Sequence, residues 1–355
     1  MVILDDTGKI KEIDRSGMLR TVEEFPRQCR DAVSLGEGVK LSEDLKKVSS
    51  LAVLGMGGSG IGGDLLKTIV ESESKLSVSV VKGYDLPRHI DSDTLVFAVS
   101  YSGETEETLS VFAQAIDRRA KIIAITSGGS LQEQAARNGF STIKVPTGYQ
   151  PRAALGFLFL PMLIVLSRLG LISSQEAAVS EALGLLAALS SRFSSKQPVS
   201  ENSAKQLAGE LLGKFPVIYG SDGLTAPAAL RWKCQLDENS KVQAFWNVFP
   251  ELNHNEIVGW ELLKELTRNF VLVFLRDKKE HPRIAKRMEI TRELISGHVG
   301  AIHQVWCEGK SRLAKILSVL YQGDFVSVYL ALLNGADPTP VDRIRLLKER
   351  LAGNW

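Results

Sequence analysis

Short apolar runs recur along the first half of the chain, at Leu51–Leu54, Val78–Val81, Leu95–Val99 and Ile122–Ile125. Each leads into a Gly-rich turn or a segment of helical pattern. Runs of four or five apolar residues bounded by turn signals suit strands buried on both faces of a parallel sheet. The helical pattern between them gives βαβ units. Residues 15–48 read as a helical lead-in, and a long helical region extends from Ala153 to Phe193. Ser194–Pro198 reads as a linker. The rhythm resumes at Val217–Tyr219, Val242–Trp246, Val271–Phe274 and Ala301–Val305, and Val341–Leu351 closes the chain as a helix with a basic face. The pattern predicts an α/β protein of two subdomains, each a parallel sheet flanked by helices. A lead-in (1–48) precedes the N-terminal subdomain (49–195), and the C-terminal one (196–355) carries the terminal helix.

Composition narrows the function. A chain of 355 residues favours two domains. A formal net charge of +2 argues against nucleic acid or a membrane surface as the main partner. A small anion needs only local positive potential. Cys29, Cys234 and Cys307 are isolated, with no CxxC pair, which suits structural thiols in a reducing compartment and no zinc site. The first twenty residues lack the apolar core of a signal peptide. Leu155–Leu166 is too short to span a bilayer. The expected location is the cytoplasm.

The first strand runs into Gly55-Met56-Gly57-Gly58-Ser59-Gly60. Gly55, Gly57 and Gly60 satisfy GxGxxG, a dinucleotide fingerprint that is weak alone. Such a site also wants an acidic residue closing the second strand. That strand ends Val81-Lys82-Gly83, and the nearest acid, Asp85, comes late. Gly57, Gly58 and the Ser59 hydroxyl suit a terminal phosphate better, held against a helix N-terminus.

The third strand ends in Ser100-Tyr101-Ser102-Gly103-Glu104-Thr105. Ser100, Ser102 and Thr105 crowd the carboxyl end of a buried strand, where open α/β sheets bind ligands. One hydroxyl is accounted for as a helix N-cap. Three, together with Ser59, point to a phosphate. GMGGSG followed some forty residues later by SYSGET resembles the sugar isomerase (SIS) domain, whose Ser/Thr loop holds the phosphate of a phosphosugar.

Further motifs carry chemistry: Leu236-Asp237-Glu238-Asn239-Ser240-Lys241, Phe249-Pro250-Glu251-Leu252-Asn253-His254-Asn255, Pro151-Arg152-Ala153 and Thr339-Pro340…Lys348. Moving a proton between neighbouring sugar carbons needs a carboxylate, and opening the ring needs an acid–base group such as imidazole. A cation beside the developing enediolate stabilises it. In this order the motifs resemble the bifunctional phosphoglucose/phosphomannose isomerases over nearly the whole chain beyond residue 50.

The resemblance implies that fructose 6-phosphate is interconverted with glucose 6-phosphate and mannose 6-phosphate through a cis-enediol, without metal or cofactor. It implies Glu238 as base, His254 as ring-opening residue, Arg152 as enediolate stabiliser, Lys348 near the sugar and Thr339 beside C3. It further implies a homodimer with a shared active site. Read from the residues alone, Asp237 and Glu251 compete with Glu238 for the base. Arg152 could instead pair with an acid, and Lys348 could belong to a solvated helix face. A strict glucose-phosphate isomerase, a non-catalytic sugar-phosphate regulator and a dinucleotide oxidoreductase are the rival functions. His89, His281, His298 and His303 show no metal-ligand spacing.

Overall fold

The computed structural model describes residues 2–353. Two short helices, α1 (Thr7–Ile13) and α2 (Met18–Glu23), open it. The chain divides into two compact units, neither of them continuous in sequence. One comprises Glu24–Ala187 with Glu308–Ser318; the other comprises Met1–Glu23, Ala188–Cys307 and Val319–Trp355. Residues 15–48 are thus shared between the two units.

In the first of these units α3 (Phe25–Gly38) precedes the strands β1 (Ser50–Leu54), β2 (Ser77–Val81), β3 (Thr94–Val99), β4 (Lys121–Thr126) and β5 (Ser141–Lys144). They form one parallel sheet in the order β2-β1-β3-β4-β5. The crossover helices α4 (Gly57–Glu73), α5 (Glu106–Asp117) and α6 (Gly129–Arg137) connect the strands, and α7 (Leu155–Arg168) follows. All six residues of β3 are buried, as a central strand covered on both faces requires. Val96, Ala98, Phe112, Ile122 and Leu131 meet in the core on one face of the sheet. β5 has no counterpart among the expected strands. Its sequence Ser-Thr-Ile-Lys buries only Ile143, because an edge strand needs no continuous apolar run.

The expected helical region holds two helices, α7 and α8 (Glu176–Phe193), separated by a turn in which Gly170 adopts φ +71°.

The second unit holds α9 (Ser203–Leu211), β6 (Phe215–Ser221), α10 (Ala226–Glu238), β7 (Phe245–Phe249), α11 (Lys264–Thr267), β8 (Phe270–Arg276), α12 (Pro282–Ile295) and β9 (Ala301–Trp306). Helix α13 (Arg312–Leu333) and the terminal α14 (Asp342–Ala352) follow. Its four parallel strands run in the order β7-β6-β8-β9, over a core of Tyr219, Phe249, Phe274 and Met288. Helix α13 has the length and apolar composition to cross a membrane, but 89% of its apolar window is buried within the fold, as in a core helix.

Ser194–Pro198 is tied into this unit: the buried Lys205 ammonium donates to the carbonyls of Ser195 and Gln197 at 3.0 and 2.7 Å. Strand β7 begins three residues later than the run Val242–Trp246 suggests. The Val242 N–H still donates to Leu236 O, and Lys241 adopts φ +59°, so these residues finish α10 before the strand can begin.

Candidate active-site elements

In the first unit β1 and β3 are neighbours although β2 intervenes in sequence, so the sheet changes winding direction between them. The crevice outside the carboxyl ends at such a switch point is where open α/β sheets take ligands. Gly57, Gly58 and Ser59 form the first turn of α4 directly after β1, and Ser100–Thr105 follow β3. The Ser100 and Thr105 hydroxyls lie 2.8 Å apart, and Gly103 N–H donates to Ser100 Oγ at 3.1 Å. Ser102 is exposed, its Oγ accepting from Glu104 N–H at 3.2 Å. Gly103 has φ +74°, and a Cβ there would stand 1.9 Å from Gly128 O. Only glycine can close this loop so tightly. The structure therefore gathers Gly57, Gly58, Ser59, Ser100, Ser102 and Thr105 onto the ends of two adjacent strands, beside the N-termini of α4 and α5.

Arg152 reaches the same unit through a 3-10 turn, Pro151–Ala153, and is 4% exposed. A Cβ on Gly58 would lie 2.9 Å from Pro151 O and 3.5 Å from Arg152 Cα, so the arginine turn abuts the first turn of α4. Two side chains that the sequence reading did not single out hold it. The Tyr101 hydroxyl donates to Pro146 O and accepts from Tyr149 N–H, at 2.9 and 2.8 Å. Burial pushes its phenol above the ordinary value, which keeps the proton that donates. On the far side of the turn, Gln28 donates to Ala153 O and accepts from Gly156 N–H, each at 2.8 Å.

The second unit positions Glu238 at the last residue of α10. That helix is locked to α13 by a buried pair, Arg231 Nη2 to Asp324 Oδ2 at 2.8 Å, with Gln235 donating to the same carboxylate. Trp232 donates to Val319 O, and Asn239 and Ser240 bond to Ser327. The C-terminal end of α10 borders an open cleft of about 810 Å³ lined by Glu238, Lys241, Asp337, Pro340 and Val341. Across it the Lys241 ammonium donates to the carbonyls of Glu238 (2.6 Å), Pro338 (3.1 Å) and Pro340 (2.6 Å). One cation thus fastens the end of the Glu238 helix to both residues flanking Thr339, whose own N–H donates to Asp337 Oδ1 at 3.0 Å.

The competing carboxylates have other engagements. Asp237 sits 2.5 Å from Lys233 Nζ and accepts from Ala244 N–H at 3.0 Å. Glu251 accepts from Asn255 Nδ2 at 2.9 Å.

His254 is exposed on a 3-10 turn, Glu251–His254, beyond β7. Glu238 precedes that strand, tethered to its start through the Asp237–Ala244 bond. Five strand residues cover about 16 Å, so Glu238 and His254 lie at opposite ends of the sheet within one chain. Lys348 is exposed in the middle of α14. The crevice above β6 is closed by its own hydroxyls: Thr225 Oγ1 accepts from Ser221 N–H at 2.7 Å and donates to Leu275 O at 3.3 Å. Among the described residues no group of three or more His, Cys, Asp or Glu side chains is arranged to hold a metal ion.

Residues 44–169 match the SIS domain family, and residues 200–351 match the bacterial phospho-glucose isomerase C-terminal SIS domain. The bifunctional phosphoglucose/phosphomannose isomerase of Caldicellulosiruptor bescii is 45% identical over 94% of this chain and 99% of its own length. The protein of the same name from Aquifex aeolicus is 40% identical over 88% of this chain and 93% of its own. A glucose-6-phosphate isomerase like protein from Thermus thermophilus shares the fold, with a TM-score of 0.65 at 19% identity over 94% of this chain and 96% of that one. With two SIS-type sheets in sequence and relatives this similar along almost its full length, the chain belongs to the bifunctional phosphoglucose/phosphomannose isomerase family.

Proposed function

We propose that this chain interconverts fructose 6-phosphate with glucose 6-phosphate and mannose 6-phosphate. The observation that carries the reading is the crevice between β1 and β3, where two hydroxyl-bearing loops meet two helix N-termini beside the Arg152 turn. It suits a phosphate dianion. Held there, remote from the reacting carbons, the phosphate contributes binding energy to orientation of the sugar.

The chemistry follows from the residues. The His254 imidazole moves the ring-oxygen proton as the sugar opens, with Lys348 alongside. Glu238 removes the C2 proton of the open-chain aldose and returns it to C1, while a hydroxyl proton passes from O2 to O1, so no proton is lost overall. The Arg152 guanidinium offsets the negative charge of the enediolate. The cis-enediol is planar at C2. Rotation about C2–C3 beside Thr339 lets Glu238 deliver a proton to either face, which gives glucose or mannose configuration in the reverse direction.

Because Glu238 and His254 stand at opposite ends of β7, the reading takes His254 from a second copy of the chain, in a homodimer that completes two sites at once. It sets the enzyme in the reducing cytoplasm, where Cys29, Cys234 and Cys307 stay unbridged. A coupled assay of the pure protein with glucose 6-phosphate and mannose 6-phosphate, taken separately, is the direct test. Turnover of both supports the reading, turnover of glucose 6-phosphate alone makes it a strict isomerase, and binding without turnover makes it a regulator.

A further inference from the structure

Helix α12 presents Arg283, Lys286, Arg287 and Ile290 along one stripe, Lys286 and Arg287 both lying about one turn from Arg283 and from Ile290. With Thr291 of the same helix, the stripe walls a cavity of about 280 Å³ that Asn253 and Ile257 line from the segment after β7. Three cations therefore face one concave space with no carboxylate in its lining. None of the three makes an ion pair among the described residues, whereas Arg276, Arg292 and Arg345 elsewhere in the unit all do. Like charges one turn apart cost helix stability unless something neutralises them. Among the described residues the one hydrogen bond from the trio's side chains is long: Arg287 Nη1 donates to Asn253 Oδ1 at 3.4 Å, while Asn253 Nδ2 donates to Thr291 Oγ1 at 2.8 Å.

We propose that this cavity binds a doubly charged phosphoryl group, at a site separate from the crevice of the first sheet. Its volume accommodates a phosphate or a small organic phosphate, with Ile257 and Ile290 as apolar walls for a short carbon chain. Guanidinium groups suit such an anion because their donors are fixed in a fork that matches its oxygens. An anion taken by Arg287 competes with Asn253, the residue immediately before His254. Occupancy thereby shifts the turn that carries the imidazole and lowers turnover. That consequence rests on the role proposed for His254; the binding itself does not.

The test is calorimetric titration at low salt, since screening weakens exposed charges. Inorganic phosphate is one arm and glycerol 3-phosphate the other. Wild type should bind two equivalents per chain. Ser100→Ala/Thr105→Ala should weaken one site and Arg283→Ser/Arg287→Ser the other, each retaining one equivalent. Loss of the two cations should reduce affinity at the α12 site more than tenfold, as expected when charge-assisted hydrogen bonds are removed. Tighter binding of glycerol 3-phosphate than of phosphate identifies the organic ligand; equal binding identifies free phosphate. The exposed Lys286→Glu, which leaves packing intact, should weaken the same site. A single equivalent in wild type, abolished by Ser100→Ala/Thr105→Ala, overturns the proposal. So does unchanged stoichiometry in Arg283→Ser/Arg287→Ser with a shift from dimer to monomer, since the stripe would then be a contact between copies. If two equivalents bind and His254→Ala leaves turnover intact, the anion site stands and the reading of His254 fails.

Discussion

Lys241 donates to the backbone carbonyl of Glu238 at 2.6 Å while holding the carbonyls on both sides of Thr339. It makes the proposed base and the residue assigned to C3 parts of one rigid corner. A lysine that satisfies three carbonyls cannot be replaced by shape alone. Lys241→Met should lower kcat by about 10- to 100-fold, the loss expected when a reacting group is misplaced by about an ångström. The phosphosugar KM should stay within about threefold, because the crevice proposed to hold the phosphate is built from residues of the other unit. Lys241→Arg should recover part of the rate. Equal losses in kcat/KM and phosphate affinity would show general unfolding instead.

Glu238→Gln keeps the side chain's shape but cannot accept the C2 proton, and general-base loss typically costs ~10² to 10⁴ in rate. Asp237 is held by Lys233 and by Ala244 N–H, so Asp237→Asn should cost less than about tenfold. Steady-state rates of the two variants decide the base. The reverse ranking would move it to Asp237.

Tyr101→Phe removes a hydroxyl that both donates and accepts, leaving Pro146 O and Tyr149 N–H without their partner. Stability should fall by about 1–3 kcal/mol, the cost of unsatisfied buried groups. If the hydroxyl also positions Arg152, kcat should drop about tenfold while inorganic phosphate still competes with substrate at its wild-type constant. Denaturant melts and inhibition kinetics separate the two effects.

Thr339→Gln should depress mannose 6-phosphate turnover more than glucose 6-phosphate turnover, because a longer side chain beside C3 hinders rotation of the enediol. An equal loss on both substrates would show that Thr339 only packs.

Glu238→Gln and His254→Ala are each inactive on the shared-site reading. Co-refolded, they should recover up to about a quarter of wild-type activity under random pairing, from mixed dimers with one intact site. Mixed dimers without recovery would place both residues in one subunit's site.

The buried strands were legible because a parallel sheet covered on both faces demands apolar runs, and Thr94–Val99 supplies one with every residue buried. Ser141–Lys144 was not, since an edge strand carries no such demand. The glycine and hydroxyl loops announced themselves by unusual composition. Lys241 and Tyr101 did not. Each acts on backbone carbonyls or N–H groups brought near by folding, up to 99 residues away for Lys241, and no local pattern records that. The late start of β7 was hidden for a similar reason: Val242 is β-branched, yet its N–H is taken by Leu236 O at the end of α10.

The discontinuous units bear on how the chain emerges from the ribosome. The unit with the first sheet draws on residues 308–318, and the other needs Met1–Glu23 together with segments ending at the far terminus. Neither is complete until more than three hundred residues have been made. Contacts of such long sequence separation form slowly, and domains assembled from them expose apolar strands while they wait. Cutting the chain in the middle, at the apparent junction between its two α/β rhythms, would leave both halves short of a segment. Neither unit can therefore close around its full set of segments until its last one has been made.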